Sequence, residues 1–236
     1  MTRTPQTIRR VCCATRTKGV TREEFAAAWP AAVAVAARAP EGVRPVRVAV
    51  NTVLPEVAEP RHDGIEVAWF TDRAHADRFA AWQTTEGRAA RRDLAELTDP
   101  ASPVLLATEA VMRGADWLAA RWHDPSPRLK HLALATRAAG LTPEEFSARW
   151  RAHAGSVRRP GEPGPTPIPD EARGFAYVQS HPLPGLPRAY DALTEVYFTT
   201  RESLAARVAW FAAAPAADPA LFATSHLLPA RETVLA

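Results

Sequence analysis

The sequence predicts an α+β fold built twice, with the order β-α-β-β-α-β in each half. Three observations predict it. Residues 16–34, RTKGVTREEFAAAWPAAVA, match residues 137–155, RAAGLTPEEFSARWRAHAG, without a gap at an offset of 121. Asp63, Phe70, Thr71, Arg73, Ala81 and Trp82 then match Asp191, Phe198, Thr199, Arg201, Ala209 and Trp210 at an offset of 128. Glu109 and Val111 match Glu232 and Val234 near the two ends. Three matches in one order indicate a duplicated unit, and a repeat has to be found before local structure is read. The expected domains are 1–118 and 126–236.

The elements of the second half follow in order. Residues 129–137 form an apolar stretch that reads as a strand. Gly140 turns the chain, and Thr142-Pro143-Glu144-Glu145 opens a helix. Thr142 caps it, proline suits the first helical position, and Glu145 completes a capping box. Thr21 and Glu24 repeat the box in the first half. Phe146, Trp150 and His153 are spaced for one helix face. Residues 173–181 and 190–199 alternate like strands. Residues 201–213 read as a second helix and 229–235 as a last strand. This order is the ferredoxin-like split βαβ unit. Its sheet has helices on one face only, so two units packed sheet to sheet would cover the bare faces.

Composition narrows the function. The chain has 236 residues, 47% hydrophobic and 23% charged, enough for a sizeable core. No apolar run reaches the length of a membrane span, and the first residues lack the apolar core of a signal peptide. Cys12 and Cys13 are adjacent, which suits a reducing cytoplasm better than a disulfide framework. The net charge is only +3, and the arginines are dispersed among acids, so neither nucleic acid nor membrane is expected as a partner. There is no Gly-rich phosphate loop, no GxSxG elbow and no metal-ligand spacing. The expected partner is a hydrophobic or aromatic small molecule, with no metal and no organic cofactor.

The second half resembles an EthD-like domain of the dimeric α+β barrel superfamily. The resemblance rests on Trp150-x-x-His153, on Tyr177-Val-Gln179-x-His181, and on Tyr190-Asp191 with Glu195. It covers about 130–236 well and 10–112 in degraded form. It implies that a tandem fusion closes its own barrel as an intramolecular pseudo-dimer, with further homodimerisation left open. Members include polyketide cyclases, decarboxylases and cofactor-free monooxygenases.

The duplication also points to a site. In the aligned first half, Ala32 stands for His153 and Val53 for His181. Ala49 stands for Tyr177, Asn51 for Gln179, Val67 for Glu195 and Trp69 for Tyr197. Polar groups present in one copy suggest one functional site, in the second half. His153 and His181 are the expected acid/base pair, because an imidazole titrates near neutrality. Tyr177 is the expected hydrogen-bond donor to a developing enolate or phenolate. Trp150, Phe146, Phe175, Gln179, Glu195, Tyr197 and Tyr190 are the expected substrate contacts. His226 reads as a loop or strand-end residue, and His62, His75, His123 and His131 as surface or strand-edge residues. The Pro-rich segment 155–173 reads as a linker or a flap over the pocket. The expected chemistry is cyclisation, dehydration or decarboxylation of a polyketide-like or aromatic compound. Cofactor-free oxygenation is the enzymatic alternative, and a ligand-binding or stress-response protein the non-enzymatic one.

Overall fold

The structure, a computed structural model, describes residues 7–124, 126–155, 168–213 and 219–235, without the side chains of 153–155. It is a mixed α+β fold whose eight described strands follow the order of an antiparallel barrel. Contacts divide the chain into two units. The first comprises Met1–Thr108, Pro125–Pro127 and Arg231–Ala236, and the second Glu109–Asp124 and Arg128–Ala230.

In the first unit β1 (Ile8–Ala14), β2 (Arg47–Val53) and β3 (Gly64–Phe70) carry α1 (Arg22–Ala37) and α2 (Arg73–Thr84). A short α3 (Arg92–Leu97) precedes β4 (Val104–Arg113), whose residues from Glu109 onward fall in the second unit. Thr21 and Glu24 form the expected capping box at the start of α1. Phe25 and Trp29 stack on the buried side of α1, and Trp29 Nε1 donates to the Asn51 carbonyl at 3.2 Å. That approach requires Gly64, where a Cβ would lie 2.6 Å from Trp29 Nε1. Cys12 and Cys13 lie in β1, and burial pushes the Cys12 thiol up to about 11, which leaves it protonated and unreactive.

In the second unit α4 (Ala115–Ala120) leads through a 3-10 turn (Arg121–His123) to β5 (Arg128–Arg137). Then come α5 (Pro143–Gly155), α6 (Asp170–Arg173), β6 (Ala176–Pro182), β7 (Ala192–Phe198), α7 (Arg201–Ala213) and β8 (Phe222–Val234). The capping box of α5 is formed: Glu145 N–H donates to Thr142 Oγ1 and Thr142 N–H to Glu145 Oε2. Phe146 and Trp150 join Ala135, Ala192 and Leu221 in a core between α5 and the sheet. Arg137 binds Asp191 through both its backbone N–H and its guanidinium, and Arg16 binds Asp63 in the same way in the first unit.

Several boundaries differ from the sequence expectation. β6 begins at Ala176 instead of 173, because α6 occupies 170–173 and Gly174 turns the chain at φ +72°. β7 begins at Ala192 instead of 190, and β8 begins at Phe222, well before 229. The alignment of β2 with β6 shifts by one residue. Val50 pairs with Glu66, and Gln179 pairs with Thr194, the residue matching Glu66, so Gln179 corresponds to Val50. By the same register Tyr177 corresponds to Val48 and His181 to Thr52. At Val48 and Val50 the first copy is nonpolar, and at Thr52 it carries a hydroxyl where the second has an imidazole.

Gly174 allows a direct test of the turn that sets β6. A Cβ there would lie 2.4 Å from Val196 Cγ1 and 2.7 Å from the Tyr197 carbonyl oxygen. Gly174→Ala should lower the free energy of urea unfolding by about 2 kcal/mol or more. Gly140→Ala meets nothing within 4 Å and should change it by less than about 0.5 kcal/mol.

Candidate functional site

Cross-strand partners share a sheet face, so register decides which side chains can meet. In the second unit His131, Val196 and Tyr177 form one row across β5, β7 and β6, and Ala133, Thr194 and Gln179 the next. These rows face the helices: α5 meets Gln179 and His181, and Arg207 of α7 meets His131. The alternate rows, Lys130-Tyr197-Ala176 and Leu132-Glu195-Val178, face the other way.

This placement corrects the expectation that Glu195 and Tyr197 line one cavity with His181. Alternation along β7 puts them behind the sheet. Glu195 Oε2 there accepts from Lys130 Nζ at 2.5 Å, with both side chains fully buried. Tyr197 packs with Leu118, Ala176 and Val178, and with Trp117 and Phe175 beside them. Phe175 therefore stands with Tyr197, and Phe146 is part of the core against Phe222. Tyr190 packs edge-on against His226 at 6.2 Å. Among the histidines expected at the surface, His62, His75 and His131 are buried. The side chain of His153 and the segment expected as linker or flap lie outside the described residues.

Tyr177, Gln179 and His181 do come together, along one face of β6. His181 is flanked by the Trp150 ring at 4.7 Å. Its Nε2 lies 3.0 Å from Gln179 Oε1, and its Nδ1 lies 2.7 Å from Ser147 Oγ on α5. Gln179 Nε2 donates to Tyr177 Oη at 3.0 Å and to the Trp150 carbonyl at 3.3 Å. The Tyr177 hydroxyl in turn bonds to Thr194.

These contacts assign the protons. Both amide hydrogens of Gln179 are donated, so Oε1 is an acceptor and His181 Nε2 carries the proton. Nδ1 then keeps its lone pair and accepts from the Ser147 hydroxyl. Burial, with Arg151 nearby, pushes the imidazole down to about 4, so it is neutral at pH 7. Tyr177 is shifted the other way, upward, by its own burial. The arrangement is a hydroxyl on a neutral imidazole oriented by a third group, the geometry of an activated hydroxyl or a proton relay. Ser147 is half-buried and escaped the sequence reading. A signal existed: at the offset of 121 it replaces Ala26, another polar group absent from the first copy. Among the described residues no three His, Cys, Asp or Glu gather as a metal site.

The shifts of His181 and His131, the latter down to about 3 through burial and Arg207, set the pH dependence of stability. Unfolded histidine titrates near 6.5, so between about 4 and 6.5 the unfolded chain binds more protons than the native one. Stability from these groups is therefore complete above about pH 6.5 and falls as pH drops toward 4. Urea midpoints should decrease between pH 7.5 and 4.5, with a shallower decrease in His181→Gln. An unchanged slope in that variant would remove His181 as a contributor.

No protein-family model matches this sequence, and no curated protein does. Solved structures do match. An anthrone oxidase-like protein aligns at a TM-score of 0.59 and 11% identity, over 98% of this chain and 94% of its own. A monooxygenase-like protein from Fusobacterium nucleatum subsp. nucleatum ATCC 25586 aligns at 0.51 and 8%, over 98% and 93%. The chlorite dismutase of Candidatus Nitrospira defluvii aligns at 0.50 and 11%, over 97% and 92%. At such identities the likeness concerns the fold alone, and that fold is the dimeric α+β barrel type.

Proposed function

We propose that the chain is a tandem EthD-like enzyme with repeats 1–118 and 126–236, acting on a polyketide-like or aromatic small molecule without metal or organic cofactor. The observation that carries this reading is the hydrogen-bond line Ser147–His181–Gln179–Tyr177 on the helix side of the second unit. Both ring nitrogens of His181 are engaged, so it acts through Ser147. An acidic proton of the substrate, beside a carbonyl or on a phenol, passes to Ser147 Oγ while the hydroxyl hydrogen passes to His181 Nδ1. The imidazolium, a strong acid in this buried place, then returns the proton to the product at a second position. Gln179 keeps the imidazole oriented throughout, and Trp150 supplies an apolar wall. His153, further along α5, is the second acid/base candidate. Proton loss of this kind serves cyclisation, dehydration or decarboxylation.

A second reading uses the same deprotonation. An electron-rich carbanion or phenolate reacts with dioxygen, which would make the chain a cofactor-free oxygenase. The anthrone oxidase-like and monooxygenase-like proteins of the same fold favour it. A hydrophobic-ligand binder is the non-enzymatic outcome.

Anthrone and a panel of aromatic β-polyketones, followed by absorbance with and without oxygen, separate these readings. Ser147→Ala and His181→Gln should each lower kcat by about 10²-fold or more. Turnover that persists anaerobically supports acid/base chemistry, and stoichiometric oxygen uptake supports oxygenation. Wild-type rates in both variants would refute the assignment, and binding without turnover would favour the carrier.

A further inference from the structure

On the helix side of the second unit, Arg207 has no carboxylate beside it among the described residues. Arg207 of α7 is only 7% exposed. Its Nε donates to His131 Nδ1 at 2.9 Å and its Nη1 to the Ala172 carbonyl at 3.0 Å. Its guanidinium lies 4.7 Å from the Phe211 ring and 6.0 Å from that of Phe198. All four partners are neutral, and among the described residues no Asp or Glu reaches it. Arg113 is arranged similarly: Nη2 donates to the Arg173 carbonyl at 2.8 Å, and its buried Nε has no partner. His131 Nε2, on the same face, is also buried and unpartnered. The Tyr177 hydroxyl stands in the field of both Arg207 and Arg113.

The first unit solves the same problem differently. Arg10 occupies the place of His131 and Glu66 that of Thr194. The Glu66 carboxylate lies 3.4 Å from Arg10 and 3.8 Å from Arg91, between two guanidinia beside Phe79. In the second unit that carboxylate is replaced by the Thr194 hydroxyl and Arg10 by His131, while a new buried guanidinium, Arg207, stands at the place of Phe79. A buried charge without a counter-charge is costly, and folded proteins normally pair it.

We infer that a ligand supplies the missing negative charge: an organic oxyanion binds beside Arg207 and Tyr177, in the position that the Glu66 carboxylate takes in the first unit. The inference rests on reading the second unit as a small-molecule site, and it adds the charge of the molecule bound there. The oxyanion is either a carboxylate of the substrate or the enolate or phenolate made from it. In the second case Arg207 stabilises the product of the proton transfer that begins at Ser147. The ligand then spans the face from the hydroxyl relay to the guanidinium, with its aromatic body between them.

The test is binding of three probes to the full chain by tryptophan fluorescence: 2-naphthoate, its neutral isostere 2-naphthamide, and 2-naphthol. At pH 7.5 naphthoate should bind at least tenfold more tightly than naphthamide if the site takes a fixed carboxylate. A rise in naphthol affinity as it ionises between pH 7.5 and 10 would identify a phenolate site. Arg207→Met should remove either preference. Thr194→Glu, which restores the carboxylate of the first unit, should abolish the anion preference, leave naphthamide binding in place and keep or raise the Tm. It decides the matter if Arg207→Met fails to fold. Equal affinity for charged and neutral probes, no binding of any probe, or anion binding unchanged in Thr194→Glu would overturn the inference. Ser147→Ala should spare naphthoate binding, so failure of the catalytic reading remains distinguishable from failure of this one.

Discussion

The carboxamide of Gln179 can face only one way. Its two hydrogens are committed to the Trp150 carbonyl on α5 and to the Tyr177 hydroxyl on its own strand. Its oxygen must therefore meet His181. From that constraint follow the tautomer of the imidazole, the direction of its free lone pair and the polarity of the Ser147 hydroxyl. Reversing the amide would set its oxygen against the Trp150 carbonyl, acceptor against acceptor in a buried place, at a cost of about 1–3 kcal/mol. One side chain thus ties helix to sheet and polarises the whole hydrogen-bond line.

Sheet alternation supplies the second constraint. β6 and β7 present Tyr177, Gln179 and Thr194 to the helices, and Val178, Glu195 and Tyr197 to the opposite face. The two faces carry different electrostatic solutions. Behind the sheet, Glu195 and Lys130 satisfy one another in full burial. On the helix side, the described residues that meet Arg207 are neutral. In the first unit the Glu66 carboxylate stands between Arg10 and Arg91 on the helix side. The copies therefore share a scaffold and differ in where they leave polar groups open to chemistry.

Much of this was legible in the sequence. α5 and α7 begin where Thr142 and the shared Trp82/Trp210 helix pattern place them, since capping is local chemistry. The grouping of Tyr177, Gln179 and His181 was legible because alternation lies within a single strand. Which residues of β7 join them was not, because that depends on cross-strand register. The match to β2 failed by one residue for a related reason. Val48-Ala49-Val50 is apolar on both faces, so its pattern carries no phase. Ser147 was legible only by contrast with Ala26, and the unbalanced charge of Arg207 required the packing of α7 on β5.

The proton relay proposed for the second unit depends on a neutral His181 protonated at Nε2. The most direct measurement is ¹⁵N NMR of the imidazole ring between pH 4 and 8. The account predicts an Nε2–H tautomer that persists unprotonated to near pH 4, and loss of that preference in Gln179→Leu. A ring that titrates near 6.5, or one protonated at Nδ1, would contradict it.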